Sequence, residues 1–248
     1  MFKVSIITVC FNSSSTIEKT LKSVANQTYQ NIEHIIKEGE SNDGTNFLIE
    51  PYLSDSRIVY KKSADDGIYD AINQAIRLSS GDIICFLHSN DEFVSNEVVS
   101  NIVKVFMESN NTQVCYGNVI FQRGDQDVRY WKSSSYKNRS EKYGWMFPHT
   151  TLFITAKMHR MVGEYAEVYK ISGDYDYILR LIKIARSKMV YVDQDIVAMK
   201  LGGASTSGIK SFVTKFKEDV SVLKKNNISI WVVWLKIIRK IPQLIMRK

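Results

Sequence analysis

The N-terminal part of this chain alternates between short strand-like runs and helical stretches, and that alternation constrains its fold more than any other feature. Residues 4–10, 32–36, 57–61 and 83–87 read as strands, and each leads into a polar turn. Ser15 with Glu18 three residues on is a capping-box pattern for the first helix. Ile68, Ala71, Ile72, Ala75 and Ile76 mark one face of a helix over about 68–78. Strands and helices in strict alternation require right-handed crossovers and a parallel sheet. In open α/β sheets of this kind, ligands bind beyond the carboxyl ends of the strands.

The turns at those ends carry acids. His88-Ser89-Asn90-Asp91 closes the apolar run 83–87, and a carboxylate there suits a hard divalent cation that takes its other ligands from substrate phosphates and water. Residues 37–45 follow the second strand. A carboxylate at a strand's end, such as Glu38, can accept the imide N–H of a uracil, and two glycines allow close backbone approach. The same residues also read as an ordinary turn capped by Asp43 or Thr45. Asp65, Asp66 and Asp70 gather at another helix start, where the macrodipole favours negative charge for structural reasons alone. Gly173-Asp174-Tyr175-Asp176 precedes Ile178, Leu179 and Leu181; a carboxylate at that helix start is a general-base candidate or an N-cap. His149, after Trp145-Met146-Phe147-Pro148, is either a phosphate or metal contact or a packed ring.

Regularity fades after Asp91. A helix over 95–107, a strand over 114–121, a hairpin or loop over 122–143, a helix over 175–185 and a strand over 189–192 are expected. The 44% apolar and 24% charged content is that of an ordinary globular protein. Cys10, Cys85 and Cys115 are scattered, which argues for a reducing compartment and against a disulfide framework or zinc site. Residues 1–7 enter a strand at once, leaving no room for a signal peptide, and no apolar stretch approaches the roughly 18 residues of a membrane span.

The net charge of +7 is unevenly placed. After Asp219 there is no acidic residue but seven basic ones, and without these seven the chain holds 26 bases against 26 acids. A nucleic-acid binder would more often spread its positive charge over the folded face, so nucleic acid is not an expected partner. Trp231, Trp234, Leu235, Ile238, Ile241 and Ile245 form one helical stripe with Lys236, Arg239, Lys240 and Arg247 mostly elsewhere, and Pro242 interrupts it. A basic amphipathic tail with tryptophans suits an anionic membrane surface. Packing on its own domain or on a partner subunit is the structural alternative.

Several of these segments, in order, resemble the family-2 nucleotide-sugar glycosyltransferases of bacterial polysaccharide synthesis. They are residues 5–12, Glu38-Gly39-Glu40-Ser41-Asn42-Asp43-Gly44-Thr45, Gly67-Ile68-Tyr69-Asp70, Ser80-Gly81-Asp82, His88-Ser89-Asn90-Asp91, Pro148-His149, Gly173-Asp174-Tyr175-Asp176 with Arg180, and Gly202-Gly203-Ala204-Ser205. The resemblance covers roughly residues 3–205. It implies a GT-A fold: a Rossmann-like open, mainly parallel sheet flanked by helices. A nucleotide-binding half (1–93) and an acceptor half (94–206) would form one domain, followed by a helical tail (207–248).

It also implies roles. Val9 and Phe11 would border the nucleotide, Glu38 would read uracil, and Asp65 would lie near the base or ribose. Asn90 and Asp91 match the family's acidic pair, with Asp91 as ligand to Mg²⁺ or Mn²⁺. Asp174 would be the catalytic base, and His149 and Asp176 acceptor or phosphate contacts. Two departures stand out: the family usually carries Asp where this chain has Glu38 and Asn90, which leaves open a shifted donor preference or weakened activity. Gln126 to Tyr130 only superficially resembles the element of processive synthases, since it precedes Asp174.

The implied protein is a cytoplasmic, peripherally membrane-bound enzyme of single additions. It would transfer a hexosyl or N-acetylhexosaminyl group, with inversion, from a nucleotide-sugar (UDP-sugar) donor to a lipid-linked or oligosaccharide acceptor. The rivals are a catalytically inactive homologue that binds nucleotide or acts as a scaffold, and a nucleotidyltransferase. The second would need a Gly-rich basic loop where Asn12-Ser13-Ser14-Ser15 stands.

Overall fold

The computed structural model of the 248-residue chain describes all residues except 125, 138, 202–207, 241–242 and 244–248, with backbone alone at 208–210. The alternation holds through β1 (Val4–Cys10), α1 (Ile17–Ala25), β2 (Ile32–Glu38), α2 (Thr45–Ile49), β3 (Ile58–Lys62), α3 (Ile68–Arg77) and β4 (Ile83–Phe86). There follow β5 (Asp91–Phe93), α4 (Val98–Glu108), β6 (Val114–Arg123), β7 (Gln126–Trp131), β8 (Phe153–Thr155) and α5 (Ala156–Val162). The chain continues through α6 (Gly173–Ala185), β9 (Met189–Lys200), α7 (Gly208–Lys225) and α8 (Val232–Ile238).

One sheet of the described residues runs β3-β2-β1-β4-β8-β6-β9-β5, with β7 paired to β6. Its first four strands are parallel. Beyond β4, the β8 pairings are antiparallel, β6 and β9 run parallel, and β5 is antiparallel to β9. Every residue of β1, β2 and β4 is buried, as expected for β-branched runs covered on both faces. On one face α3 and α6 contribute Tyr69, Ile72, Ile178 and Ile182 to the core. On the other, α4 contributes Val98, Val99, Ile102 and Phe106.

The tail is part of this body. Val222, Leu223, Ile228, Val232 and Val233 lie in the same apolar cluster as α3 and α6. The described members of the expected stripe, Trp231 (72% exposed), Trp234 (53%), Leu235 and Ile238, face solvent, and a different set, Val232, Val233 and Lys236, faces inward. Ile241, Pro242, Ile245 and Arg247, and the motif at 202–205, lie outside the described residues.

Three local expectations are corrected. Ser15 and Glu18 make no capping box: Thr16 precedes α1 without a side-chain cap, and the Ser13 carbonyl accepts the Ile17 N–H at 2.9 Å. The strand expected at 189–192 continues to Lys200, because Tyr191, Asn118 and Lys132 satisfy Asp193. The helix expected from 175 begins at Gly173, so Asp174 sits in its first turn behind Ser172.

A buried polar knot ties the amino ends of these strands. Glu33 on β2 accepts from Ser5 Oγ (2.5 Å), the Ser80 N–H (2.6 Å) and Ser80 Oγ (2.6 Å), and pairs with Lys3 Nζ at 2.5 Å. Burial opposes its ionisation, but the Lys3 ammonium and the Ser5 and Ser80 donors hold its carboxyl down to about 2. Gly81 is required beside it, since a Cβ would meet Ser5 Oγ at 2.4 Å and the Lys3 carbonyl at 2.8 Å. The three cysteines are free and buried; burial pushes the Cys10 thiol up to about 12 and raises the other two.

The Glu33 carboxyl titrates lower in the folded chain than in the unfolded one, so its contribution is complete above pH ~4.5 and disappears as pH falls towards 2. Glu33→Gln is expected to lower stability by about 1–3 kcal/mol at pH 7, and the deficit should shrink below pH ~4 in denaturant titrations.

Candidate active site

The loops after β1, β2 and β4 are laced together at the carboxyl edge of the parallel strands. The Asn12 N–H donates to Ser41 Oγ (2.8 Å), the Ser13 N–H donates to Thr45 Oγ1 (2.7 Å), and Ser13 Oγ meets Ser89 Oγ (2.8 Å). Asn12 adopts φ 47° at the turn, a left-handed conformation that Asn tolerates. Asp43 accepts from the Ser14 N–H and from Thr45, and the Thr45 hydroxyl holds its carboxyl well below the usual range. The expected Asp43 turn is therefore a structural staple between two loops.

On the β2 side, Phe11 is 63% exposed beyond β1, whereas the Val9 side chain is packed into the core. Gly39 lets two side chains converge on it: a Cβ there would lie 3.0 Å from Asp65 Oδ2 and 3.2 Å from the Phe11 ring. Lys37 is fully buried, and its ammonium bonds the Asp65 carboxylate and the Ser63 carbonyl (2.8 Å). Lys37 opened the cluster at 37–45 in the sequence but was given no role there, since its burial depends on Asp65 arriving from the loop after β3. Glu38 is also fully buried. One carboxylate oxygen accepts the Ser41 N–H at 2.5 Å, and the other has no partner among the described residues.

On the β4 side, the Asn90 amide nitrogen donates to the Lys200 carbonyl (2.6 Å), docking the acidic turn on the end of β9. Asp91 begins β5 and is 1% exposed, with both carboxylate oxygens enclosed and unpartnered among the described residues. Burial raises its carboxyl to about 7. No group of three or more His, Cys, Asp or Glu side chains among the described residues could hold a metal. A cation held by one carboxylate and by substrate phosphates needs no such cluster. A buried, unpaired carboxylate is costly until a cation joins it, so Asp91 fits that role.

From this turn an aromatic wall leads to Asp174. His88 stacks near His149 (centroids 6.5 Å, 11°), and His149 lies 5.0 Å from Phe86 and bonds the Tyr165 hydroxyl at 2.6 Å. Tyr165 stacks on Tyr177 and on Tyr69. Burial lowers both histidines, His88 to about 3, so the wall is neutral at physiological pH; the Asp174 charge opposes this at His149. His149 is thus packed among aromatics and also lies within electrostatic reach of Asp174. His88 was quoted in the motif without a role, and its place on the wall depends on ring contacts that sequence spacing cannot reveal.

Asp174 is part-exposed, and its Oδ1 accepts the Tyr175 N–H at 2.7 Å. The loop before it is clamped by α7. Glu218 accepts the N–H groups of Lys170, Ile171 and Ser172, each at 2.9 Å, and Asp219 accepts from Ser172 Oγ at 2.7 Å. Asp176, expected as an acceptor or phosphate contact, is enclosed instead. It pairs with Arg180 (2.8 Å) and Lys225 (3.2 Å), because its position in the first turn of α6 points it at α7.

Gly173 sets the position of Asp174 against Tyr69: a Cβ would lie 2.7 Å from the Tyr69 ring, which cannot retreat because it stacks on Tyr165 and bonds the Ile171 carbonyl. Gly173→Ala is expected to displace the start of α6 and to lower turnover by about 10–100-fold, with nucleotide binding at the β2 side retained. Steady-state kinetics and nucleotide titration of the variant check this.

Residues 5–163 match glycosyl transferase family 2. An uncharacterized glycosyltransferase of Mycobacterium tuberculosis is 31% identical over 182 residues, covering 71% of this chain and 68% of the relative. The Escherichia coli UDP-Glc:alpha-D-GlcNAc-diphosphoundecaprenol beta-1,3-glucosyltransferase WfgD is 36% identical over 118 residues, 47% of this chain and 46% of that enzyme. Among solved structures, Staphylococcus aureus TarS in complex with UDP-GlcNAc superposes with a TM-score of 0.67 at 16% identity, over 89% of this chain and 66% of TarS. The mannosyltransferase PcManGT from Pyrobaculum calidifontis, in complex with GDP-Man and Mn²⁺, superposes with a TM-score of 0.64 at 14% identity, over 98% and 73%. With a match over more than half its length and a GT-A sheet beneath it, the chain belongs to glycosyl transferase family 2.

Proposed function

We propose that this glycosyltransferase moves a hexosyl or N-acetylhexosaminyl group from a UDP-sugar, with inversion, to a hydroxyl of a lipid-linked acceptor, one addition per encounter. The observation that carries the reading is the continuous wall His88–His149–Tyr165–Tyr69, which joins the acidic turn at Asp91 to Asp174. Phe11, Asp65 and the unpartnered oxygen of Glu38 support a uracil nucleotide at the β2 edge. The relative WfgD is named for a UDP-Glc donor and a diphosphoundecaprenol-linked acceptor, which favours that donor and acceptor class here.

In this mechanism Phe11 borders the base, Glu38 accepts its imide N–H, and Lys37 holds Asp65 in place near the ribose. Asp91, with the neutral amide of Asn90 beside it, would hold Mg²⁺ or Mn²⁺. When bound, that ion neutralises charge on the departing diphosphate. Asp174 accepts the proton of the acceptor hydroxyl as it attacks the anomeric carbon from the face opposite the diphosphate. The neutral histidine wall does not attract the diphosphate away from the Asp91 turn.

No helix of the described residues is long and apolar enough to cross a membrane. We assign contact with an anionic bilayer to the outward face of the tail, where Trp231, Trp234, Leu235 and Ile238 of the α8 region are exposed along with Phe212 and Val213 of α7. The chain beyond Asp219 carries only basic charge, which complements acidic headgroups. This would place the enzyme at the cytoplasmic face of the cell membrane.

Asp174→Asn is expected to reduce transfer by roughly 10²–10⁴-fold while UDP affinity in the presence of Mn²⁺ is unchanged. Near-normal turnover would move the base elsewhere, and NMR showing retained anomeric configuration in the product would sink the inverting step. Replacing Trp231 and Trp234 together by Ser should weaken co-sedimentation with phosphatidylglycerol vesicles by about tenfold or more. Unchanged sedimentation would remove the membrane assignment.

A further inference from the structure

A second concavity lies away from the nucleotide edge, between the end of β7, residues 132–134 and 144–146, and the C-terminal end of α8. Its volume is about 240 Å³, and its lining includes Lys132, Ser133, Trp145, Lys236, Arg239 and Lys240. That is below the roughly 300–1,000 Å³ of a pocket that encloses a whole organic ligand, so it suits a compact group. Phe11, Glu38, Asp65, Asn90 and Asp91 take no part in it.

The charge balance around this cavity is incomplete. Asp219 serves two lysines, Lys236 at 3.0 Å and Lys215 at 3.8 Å, and Lys132 is paired with Asp193 at 2.8 Å. Arg239 donates to the Tyr143 carbonyl at 2.8 Å, and Arg129 donates to the Gln243 amide oxygen while lying over the Phe121 and Trp131 rings. Among the described residues no carboxylate lies within ion-pair distance of Arg129, Arg239 or Lys240. Lys240 is destabilised as a cation first by burial and then by Lys215 and Arg129, with Asp219 and Asp174 opposing. Like charges gathered in a part-buried site are unfavourable unless an anion joins them.

One further feature suits an anion. Ser133 is 8% exposed, and its hydroxyl has no partner among the described residues. Asp174 lies within electrostatic reach of Lys236 and Lys240 and partly offsets their charge, which sets the cavity on the side of the fold that carries the proposed base. Its floor and the exposed tryptophans belong to the same helical segment, so a group bound there would have a path along α8 towards the bilayer face.

We propose that this cavity binds the diphosphate that joins the acceptor's sugar to its lipid, an assignment that rests on the lipid-linked acceptor reading above. Arg239, Lys240 and the Ser133 hydroxyl contact the phosphate oxygens by charge-assisted and neutral hydrogen bonds. The sugar then extends towards Asp174, and the prenyl chain leaves along Trp231 and Trp234.

The test uses the full chain and farnesyl diphosphate as probe, titrated calorimetrically with and without saturating UDP and Mn²⁺. Wild-type protein is expected to bind the probe in both conditions and to bind farnesol more weakly. Lys240→Gln should weaken probe binding about tenfold, Ser133→Ala should weaken it less, and Lys240→Arg should restore it. UDP affinity should be unchanged in all three, which also shows that they fold. The proposal is overturned if Lys240→Gln binds the probe like wild type, or if UDP displaces the probe. It is equally overturned if Lys240→Gln loses phosphatidylglycerol vesicles but keeps the probe, since the cavity is then a headgroup contact. Failure of the wild type to bind UDP with Mn²⁺ would instead overturn the donor reading.

Discussion

The start of α6 depends on a carboxylate that arrives more than forty residues later in the chain. Glu218 on α7 gathers three successive backbone N–H groups from 170–172, and Asp219 beside it takes the Ser172 hydroxyl and the Lys236 ammonium. Bonds of this charged type are worth about 1.5–3 kcal/mol each. Together they fix a loop that would otherwise be free to move at the mouth of the site. The base candidate, the tail and the cation-rich cavity are therefore one mechanical unit. Lys236 sits at its centre, 3.3 Å from the centroid of the Tyr175 ring and 3.0 Å from Asp219.

The site divides into a charged part and a neutral part. Carboxylates and Lys37 occupy the β2 edge, an enclosed carboxylate lies under the β4 turn, and aromatic rings with two uncharged imidazoles span the distance to Asp174. Asn90 fits this scheme: its amide is tied to the end of β9, so one of the two residues expected to depart from the family pattern acts as a joint between the acidic turn and the strand beside it. One charge fewer at this turn leaves Asp91 as the anionic oxygen donor there.

The parallel half of the sheet was legible because β1, β2 and β4 are covered on both faces and its helices carry regular stripes. The acidic turns were legible at the ends of those strands, and the family resemblance then gave them roles. The antiparallel half was less legible. β9 crosses a polar stretch, Asp193 to Asp195, that breaks any apolar run, and it survives because partners on β6, β7 and the following segment satisfy those side chains. α7 is rich in lysine and shows its buried face mainly at Val222 and Leu223. Asp176 was read beside Asp174 as an acceptor or phosphate contact, but positions two apart on a helix face different directions, and this one meets Arg180 and Lys225. The orientation of α8 was half legible: the stripe was visible, but which side faces water is decided by Lys236 finding Asp219.

All three native thiols are locked inside the sheet, and burial keeps them protonated. Thiolate, not thiol, is the reactive species, so alkylating probes meet a silent background in the folded chain. A cysteine introduced at a solvent-facing position such as 231 would carry a spectroscopic label by itself, giving direct access to the depth at which the tail sits in a lipid interface.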